Sequence, residues 1–311
     1  MKKSKIIVIV GPTATGKSSL AVKLCKDFNG SVINADSVQV YKHLNIGSAK
    51  ATKEEMDGVD HYLIDILDPN EPFSAAQFRE AASHKIAELR ALGKNIFVVG
   101  GTGLYVKILT GGIIDVPASD PVVRAELMGI AESDSPKALY DELSTIDNES
   151  AENISENDLF RVVRALEVYK TSGKTISQIR KEHSFKEKDF LALKIGLSMD
   201  RKRLYERIEL RVDEMLSRGL LDEVKGLKEM GYDGTLKPLS SIGYKQMLMY
   251  LDGEIDYDEA VRLVKRDTKR YAKRQFTWFN GDKEISWFDS EAVKSEKEYA
   301  SVKALVSEFL K

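Results

Sequence analysis

A single cysteine, no excess of either charge and no apolar run of membrane length define the 311-residue chain by what they exclude. With Cys25 alone, neither an intramolecular disulfide nor a multi-cysteine zinc site can form. Cys25 follows Leu24 and shares an apolar helix side with Ala21, which marks it as a core thiol. His43, His61, His84 and His183 have no partner at metal-ligand spacing. The 47 basic and 49 acidic residues nearly cancel, so a nucleic-acid signal must come from clustering and not from net charge. No stretch approaches the roughly 18 apolar residues of a membrane span. Met1-Lys-Lys-Ser-Lys5 has the basic character of a signal-peptide start, but the apolar run behind it is short and ends in a glycine loop. A cytosolic protein is expected. Internal repeats and low-complexity segments are also missing. Hydrophobic residues make up 42% of the chain, enough for one large or two smaller cores.

The strongest positive feature spans residues 6–24. Ile6-Ile-Val-Ile-Val10 reads as a strand buried on both faces. Gly11-Pro-Thr-Ala-Thr-Gly-Lys-Ser18 then fits the phosphate-loop pattern, and a helical pattern starts at once. Such a loop turns successive N–H groups toward one anion, at the positive end of the following helix. Lys17 adds a full charge, and the Ser18 hydroxyl suits a Mg²⁺ ion shared with the phosphates.

Farther along, Val32-Ile33-Asn34-Ala35 forms a short strand ending in Asp36, and Ile96-Phe97-Val98-Val99 forms another ending in Gly100-Gly101-Thr102-Gly103. Between them lie a loop-like stretch, 47–72, and a helix. Ser74-Ala-Ala-Gln77 is the capping box of that helix, with Phe78, Ala82, Ile86 and Leu89 as its apolar face and Gly93 as its stop. Alternating strands and helices predict a parallel, helix-covered sheet. From Val116 to about Asp189 only short helices are expected, started by Asp120-Pro121 and Ser135-Pro136 and including one from Ser155 to Thr171. Leu191–Leu197 reads as a returning strand, and past Asp200 the chain is mostly helical. Two arginine rows stand there, Arg203, Arg207, Arg211 and Arg218, then Arg266, Arg270 and Arg274 within a helix from Asp256 to Phe279.

Several roles stay open on spacing alone. Asp36, at the carboxyl edge of a strand, can hold Mg²⁺, accept a proton from a nucleophile, or be a solvated turn residue. Gly100–Gly103 is either a tight turn or a place where substrate meets backbone, with Thr102 as a polar contact. The arginine rows are either solvated helix faces or a positive surface for nucleic-acid phosphates. Tyr271, Phe276, Trp278 and Phe279 read as core at helical spacing.

Taken together, Gly11–Ser18, Asn34-Ala-Asp-Ser-Val-Gln-Val-Tyr41, Asn45-Ile-Gly-Ser-Ala-Lys50 and Gly100-Gly-Thr-Gly-Leu-Tyr105 resemble the tRNA dimethylallyltransferases of bacterial type. Asn157-Asp158 with Arg161–Val168, Ser172-Gly-Lys174, Arg207–Arg211, Gly243-Tyr-Lys-Gln-Met247 and Lys273-Arg-Gln-Phe-Thr-Trp278 continue the likeness over nearly the whole chain. The resemblance implies an α/β fold with a P-loop kinase-like parallel sheet covered by helices and an inserted small all-helical domain. The expected boundaries are 1–115 for the first part of the core, 116–190 for a helical insertion contacting tRNA, and 191–311 for the return to the core.

The implied reaction moves a dimethylallyl group from its diphosphate to the exocyclic amine of the adenosine 3′ of the anticodon, position 37 of the tRNA. By resemblance Asp36 is the general base, and Lys17, Arg211 and Thr102 complete the catalytic set. Gly11, Pro12, Thr13, Ala14, Thr15, Gly16, Lys17 and Ser18 bind the diphosphate or a nucleotide, and Ser18 reaches the metal, Mg²⁺. Asp36, Ser37, Val38, Gln39, Thr102, Arg124, Phe160, Arg161, Val162, Val163 and Arg164 meet the tRNA. Leu159-Phe160 stands where the family usually has Pro-Gln, and Ser240-Ser241-Ile242 before Gly243 holds no basic residue where some relatives carry one. One cysteine leaves no zinc finger of the eukaryotic kind. The partners implied are tRNA and dimethylallyl diphosphate, with no membrane and a monomeric enzyme. A small-molecule kinase using ATP is the alternative that a phosphate loop also permits.

Overall fold

The computed structural model describes residues 3–112, 116–183 and 189–311. The expected boundary at Asp115 falls outside the described residues, as do Met1 and Lys2. The chain divides into two compact units, Met1–Thr110 with Asp189–Lys311, and Gly111–Lys188.

The first unit opens with β1 (Ser4–Val10), a loop and α1 (Lys17–Asp27). It continues through β2 (Gly30–Asn34), α2 (Lys53–Met56), β3 (His61–Tyr62), α3 (Ala75–Ala91), β4 (Asn95–Val99) and α4 (Gly103–Gly111). The second unit holds α5 (Pro121–Ser133), α6 (Pro136–Ile146), α7 (Asn148–Glu152), α8 (Leu159–Ser172) and α9 (Ile176–His183), and no strand among its described residues. The chain then re-enters the first unit with β5 (Phe190–Ser198), α10 (Arg201–Ser217), α11 (Leu220–Glu229), α12 (Tyr244–Leu251), α13 (Tyr257–Asn280), β6 (Ile285–Asp289) and α14 (Glu296–Leu310).

Six strands form one sheet in the order β3-β2-β4-β1-β5-β6, and every neighbouring pair is parallel. The architecture is the expected P-loop kinase-like sheet with a helical insertion. Ile6 to Val10 are fully buried because β1 lies between β4 and β5 and has helices over both faces. Ile7 and Ile9 pack with Leu20 and Leu24 of α1 and with Val302 and Val306 of α14. Each such side chain contributes about 1.5–3 kcal/mol. A second core joins Val40, Tyr41 and Leu44 of the loop after β2 to Val212, Leu220, Tyr244 and Val264 of α10 to α13.

Helix ends follow their caps. Ser74 and Gln77 form the capping box of α3, and the buried residues of that helix are Phe78, Ala82, Ile86 and Leu89. Asp120 and Ser135 cap α5 and α6, each followed by proline. Strand β6 departs from the mostly helical expectation past Asp200: Ile-Ser-Trp-Phe-Asp is short and mixed, and only pairing with β5 makes it a strand. The stretch 47–72 likewise contains α2 and β3. Among the described residues no helix is long and apolar enough to cross a membrane.

In the helical unit, Leu166 is fully buried with Leu127, Leu139, Leu143 and Val162. Leu166→Ala should lower stability by about 2–5 kcal/mol, read by urea unfolding followed by circular dichroism. A loss below about 1 kcal/mol would contradict the packing of α8.

Candidate active site

At the end of β1 the backbone has no room for a side chain. A Cβ on Gly11 (φ 137°) would lie 2.4 Å from the Leu197 carbonyl oxygen of β5. Ala14 (φ 65°) and Gly16 (φ 82°) are both left-handed, which curls the loop before α1 begins. The Thr15 hydroxyl and the Lys17 ammonium both donate to the Pro12 carbonyl, at 2.8 and 2.7 Å. Lys17 therefore lies folded over the loop.

The ends of β2 and β4 are stitched side by side. Ala35 N–H donates to Val99 O at 2.8 Å, and Thr102 N–H to Ala35 O at 3.3 Å. Gly100 permits this closeness, since its Cβ would meet the Ala35 carbonyl at 2.1 Å. Ser37 N–H donates to Thr102 Oγ1 at 3.1 Å. Asp36, held between the two strand ends, accepts through Oδ1 from Val38 N–H at 2.9 Å and Gln39 N–H at 3.2 Å. A turn closed this way sets the carboxylate against the backbone that carries it.

Lys17, Ser18, Asp36, Gln39 and Arg211 line one cavity of about 710 Å³, built entirely within the first unit. Arg211 comes from α10 and reaches Thr13 Oγ1 at 3.5 Å. Arg207 and Arg218 of the same helix also line the wall, while Val22, Ile46, Leu210 and Met215 supply apolar surface. Glu54, Glu55 and Glu214 add negative charge to the lining. Burial pushes the Lys17 ammonium down to about 7, Arg211 adds to the effect, and Asp36 opposes it. Arg211 is lowered chiefly by burial. Lys17 and Arg211, with Arg207 and Arg218 beside them, suit the cavity to a multivalent anion. The arrangement can hold a diphosphate, stabilise charge leaving with it, and offer a carboxylate to a proton.

No cluster of three or more metal-ligating His, Cys, Asp or Glu exists among the described residues. Ser18 and Asp36 are hard oxygen donors in the same cavity, which suits a Mg²⁺ held largely by phosphate oxygens and water.

Gln275 and Tyr271 are among the cavity residues outside the sequence-predicted set. Gln275 of α13, buried, accepts from Thr13 N–H at 2.8 Å and donates to Gly101 O at 3.0 Å, so it joins the phosphate loop to the Gly-Gly-Thr turn. Tyr271 lines the same wall. Gln275 lies within the Lys273–Trp278 run, the one signal that pointed to it. Of the aromatic residues there, Phe279 is buried as expected, whereas Phe276 and Trp278 are exposed. Trp278 covers Gly103, and Phe276 leans on Trp287. On α13, Arg262 pairs with Glu259, while Arg266 and Arg270 pair with Asp267, so much of that row is a neutralised helix face.

The remaining candidates belong to the helical unit. Glu167 is fully buried and accepts from Ser119, Asp120 N–H, Arg124 and Arg164 at 2.7–3.0 Å. Those donors hold its carboxyl below the usual range against the opposing effect of burial. Arg124 also stands 5.5 Å from the ring centroid of Phe160, which is 69% exposed. Arg161 is exposed and pairs with Asp158. Val162 and Val163 have their side chains in the core with Leu127 and Leu139, while Phe160 and Arg161 of the same helix are exposed.

A sequence profile described as IPP transferase matches residues 39–282. The chain is 48% identical over 287 residues to tRNA dimethylallyltransferase 2 of Geotalea uraniireducens, covering 92% of this chain and 93% of that one. It is 46% identical to tRNA dimethylallyltransferase of Geobacter sulfurreducens, with 92% of each covered. Among solved structures, the tRNA isopentenylpyrophosphate transferase of Bacillus halodurans superposes with TM-score 0.75 at 42% identity, covering 99% and 97%. A eukaryotic dimethylallyltransferase acting on tRNA superposes with TM-score 0.81 at 32% identity, covering 97% of this chain and 78% of that one.

Because Lys17 is depressed to about 7, binding an anion that favours its charged form should take up a proton above that pH. Affinity for inorganic diphosphate, without added metal, should fall as pH rises from 7 to 9. Titration calorimetry in buffers of different ionisation enthalpy measures the uptake, and pH-independent affinity would refute it.

Proposed function

The chain belongs to the IPP transferase family and transfers a dimethylallyl group to tRNA; we propose that the donor is dimethylallyl diphosphate, seated on the Gly11–Ser18 loop, and the acceptor the exocyclic amine of the adenosine just 3′ of the anticodon. The observation that carries this reading is the meeting of Lys17, Arg211 and Asp36 in one cavity with an apolar wall. Diphosphate oxygens face Lys17, Arg211 and the loop N–H groups. The C5 chain lies against the apolar part of the wall.

An adenine amine is a weak nucleophile, so the allylic carbon must react as its leaving group departs. The amine nitrogen forms a bond to that carbon while the carbon–oxygen bond breaks, and the electron pair leaves with the diphosphate. Negative charge therefore grows on oxygens that Lys17 and Arg211 already face, where preorganised charge lowers the barrier most. The amine proton passes to Asp36. Its Oδ1 is committed to Val38 and Gln39 N–H, and we assign the proton to Oδ2. Thr102, tied to Ser37, orients the Asp36 turn. When bound, Mg²⁺ supplies further neutralisation of the leaving diphosphate, with Ser18 as its protein ligand.

The target base has to leave its stack to reach such a cavity, at about a few kcal/mol. In the helical unit, Arg161 suits a phosphate. Phe160 and Arg124 together offer a flat, cationic face for a nucleobase, where the family usually has glutamine. None of the relatives named above is a kinase, and nothing in the cavity favours that alternative.

Incubation with unmodified tRNA, Mg²⁺ and dimethylallyl diphosphate, followed by nucleoside mass spectrometry, should show prenylated adenosine. Asp36→Ala should reduce the rate by about 10²–10⁴, the usual worth of a general base. Unchanged tRNA combined with phosphoryl transfer from ATP to a small acceptor would overturn the reading.

A further inference from the structure

The loop after Asp36 is held in shape by a residue more than 170 positions away in sequence. The Glu223 carboxylate of α11 accepts from Asn45 N–H at 3.0 Å, Ile46 N–H at 2.8 Å and Gly47 N–H at 3.1 Å. Tyr244 of α12, fully buried, donates its hydroxyl to Glu223 Oε1 at 2.7 Å and accepts from Ser48 N–H at 3.2 Å. Gly47 makes space for that ring, since a Cβ there would lie 2.6 Å from it. Four consecutive backbone N–H groups are thus satisfied by one carboxylate and one phenol.

The same loop is tied to the base. Gln39 Nε2 donates to the carbonyls of Ser48 and Ala49 at 3.0 and 3.3 Å, while Gln39 N–H donates to Asp36 Oδ1. Ala49 is left-handed (φ 53°), a conformation a non-glycine residue keeps only when its surroundings impose it. One continuous set of hydrogen bonds runs from Glu223 and Tyr244 through residues 45–49 and Gln39 to the carboxylate. Neither residue lines the cavity.

We infer that Glu223 and Tyr244 are positioning residues for Asp36, acting through the 45–49 loop and Gln39 and touching no substrate. The inference rests on Asp36 as the general base. Its chemistry is specific: a carboxylate accepts all four donors at once, whereas an amide presents N–H groups of its own to some of them. Tyr244→Phe removes only the bridging hydroxyl and keeps the ring that packs on Gly47.

The test uses Tyr244→Phe and Glu223→Gln in the full chain, each also combined with Asp36→Asn. Single-turnover and steady-state prenylation of tRNA would be measured together with melting temperature. A carboxylate displaced by a fraction of an ångström should lower kcat about 10- to 100-fold in Glu223→Gln and less in Tyr244→Phe. KM for dimethylallyl diphosphate should change by a smaller factor than kcat, since Lys17 and the phosphate loop are untouched and, of the apolar wall, only Ile46 belongs to the displaced loop. In the Asp36→Asn background neither substitution should cost anything more, because no base remains to be placed. Folded variants with wild-type kcat, losses confined to KM, or the same factor lost without Asp36 would each overturn the inference. Should Asp36→Asn itself keep wild-type kcat, the base assignment fails first and takes this inference with it.

Discussion

Three backbone contacts with no space for a methyl group decide the shape of this active site. Gly11 lies against the Leu197 carbonyl, Gly100 against the Ala35 carbonyl, and Gly101 against the Gln275 amide. Each joins segments far apart in sequence, and together they fix the backbone around the cavity, which Gly100 and Gly101 themselves line. A fixed backbone is what a phosphate site needs, because peptide dipoles fixed by the sheet require no reorganisation when charge arrives. The side chains proposed to act on substrate then come from three different elements around it: Lys17 from the start of α1, Asp36 from beyond β2, Arg211 from α10.

This backbone was readable because its glycines sit at strand ends. Ile6–Val10 and Ile96–Val99 could hardly be other than buried strands, and the loops behind them carry the phosphate pattern and the Gly-Gly-Thr turn. Helix starts were equally plain where a cap preceded an apolar period, as at Ser74 and Asp120. Harder to read were residues whose partners lie far off. Gln275 meets Thr13 across 262 positions and Glu223 meets Asn45 across 178, and no local spacing encodes such a pair. Only the motif runs that included Gln275 and Tyr244 hinted at them. Strand β6 escaped for a related reason, since its strand character depends on β5 and not on its own composition.

The arginine rows show why charge patterns are ambiguous in one dimension. Both repeat at helical spacing, yet their surroundings separate them. On α10, Arg207, Arg211 and Arg218 line the cavity, and Arg211 is buried enough to lose basicity. On α13, Glu259 pairs with Arg262, and Asp267 is shared by Arg266 and Arg270, in weak surface pairs that leave Arg274 beside the Tyr271 ring. Burial beside the phosphate loop marks the first row, and acidic residues on the same helix mark the second.

The interrupted first unit also sets the order in which the protein can assemble. β1 pairs with β4 on one edge and with β5 on the other, and Lys5 finds Leu191 only after the whole helical insertion has been synthesised. A ribosome adding about 5–20 residues per second takes roughly 10–40 s to cover the approximately 190 residues between them. For that interval the most apolar strand of the sheet has at least one unpaired edge, and the phosphate loop lacks the Leu197 carbonyl against which Gly11 packs. A nascent chain of this kind exposes an apolar strand of the sort that aggregates, and its insertion can finish folding while the sheet is still half built.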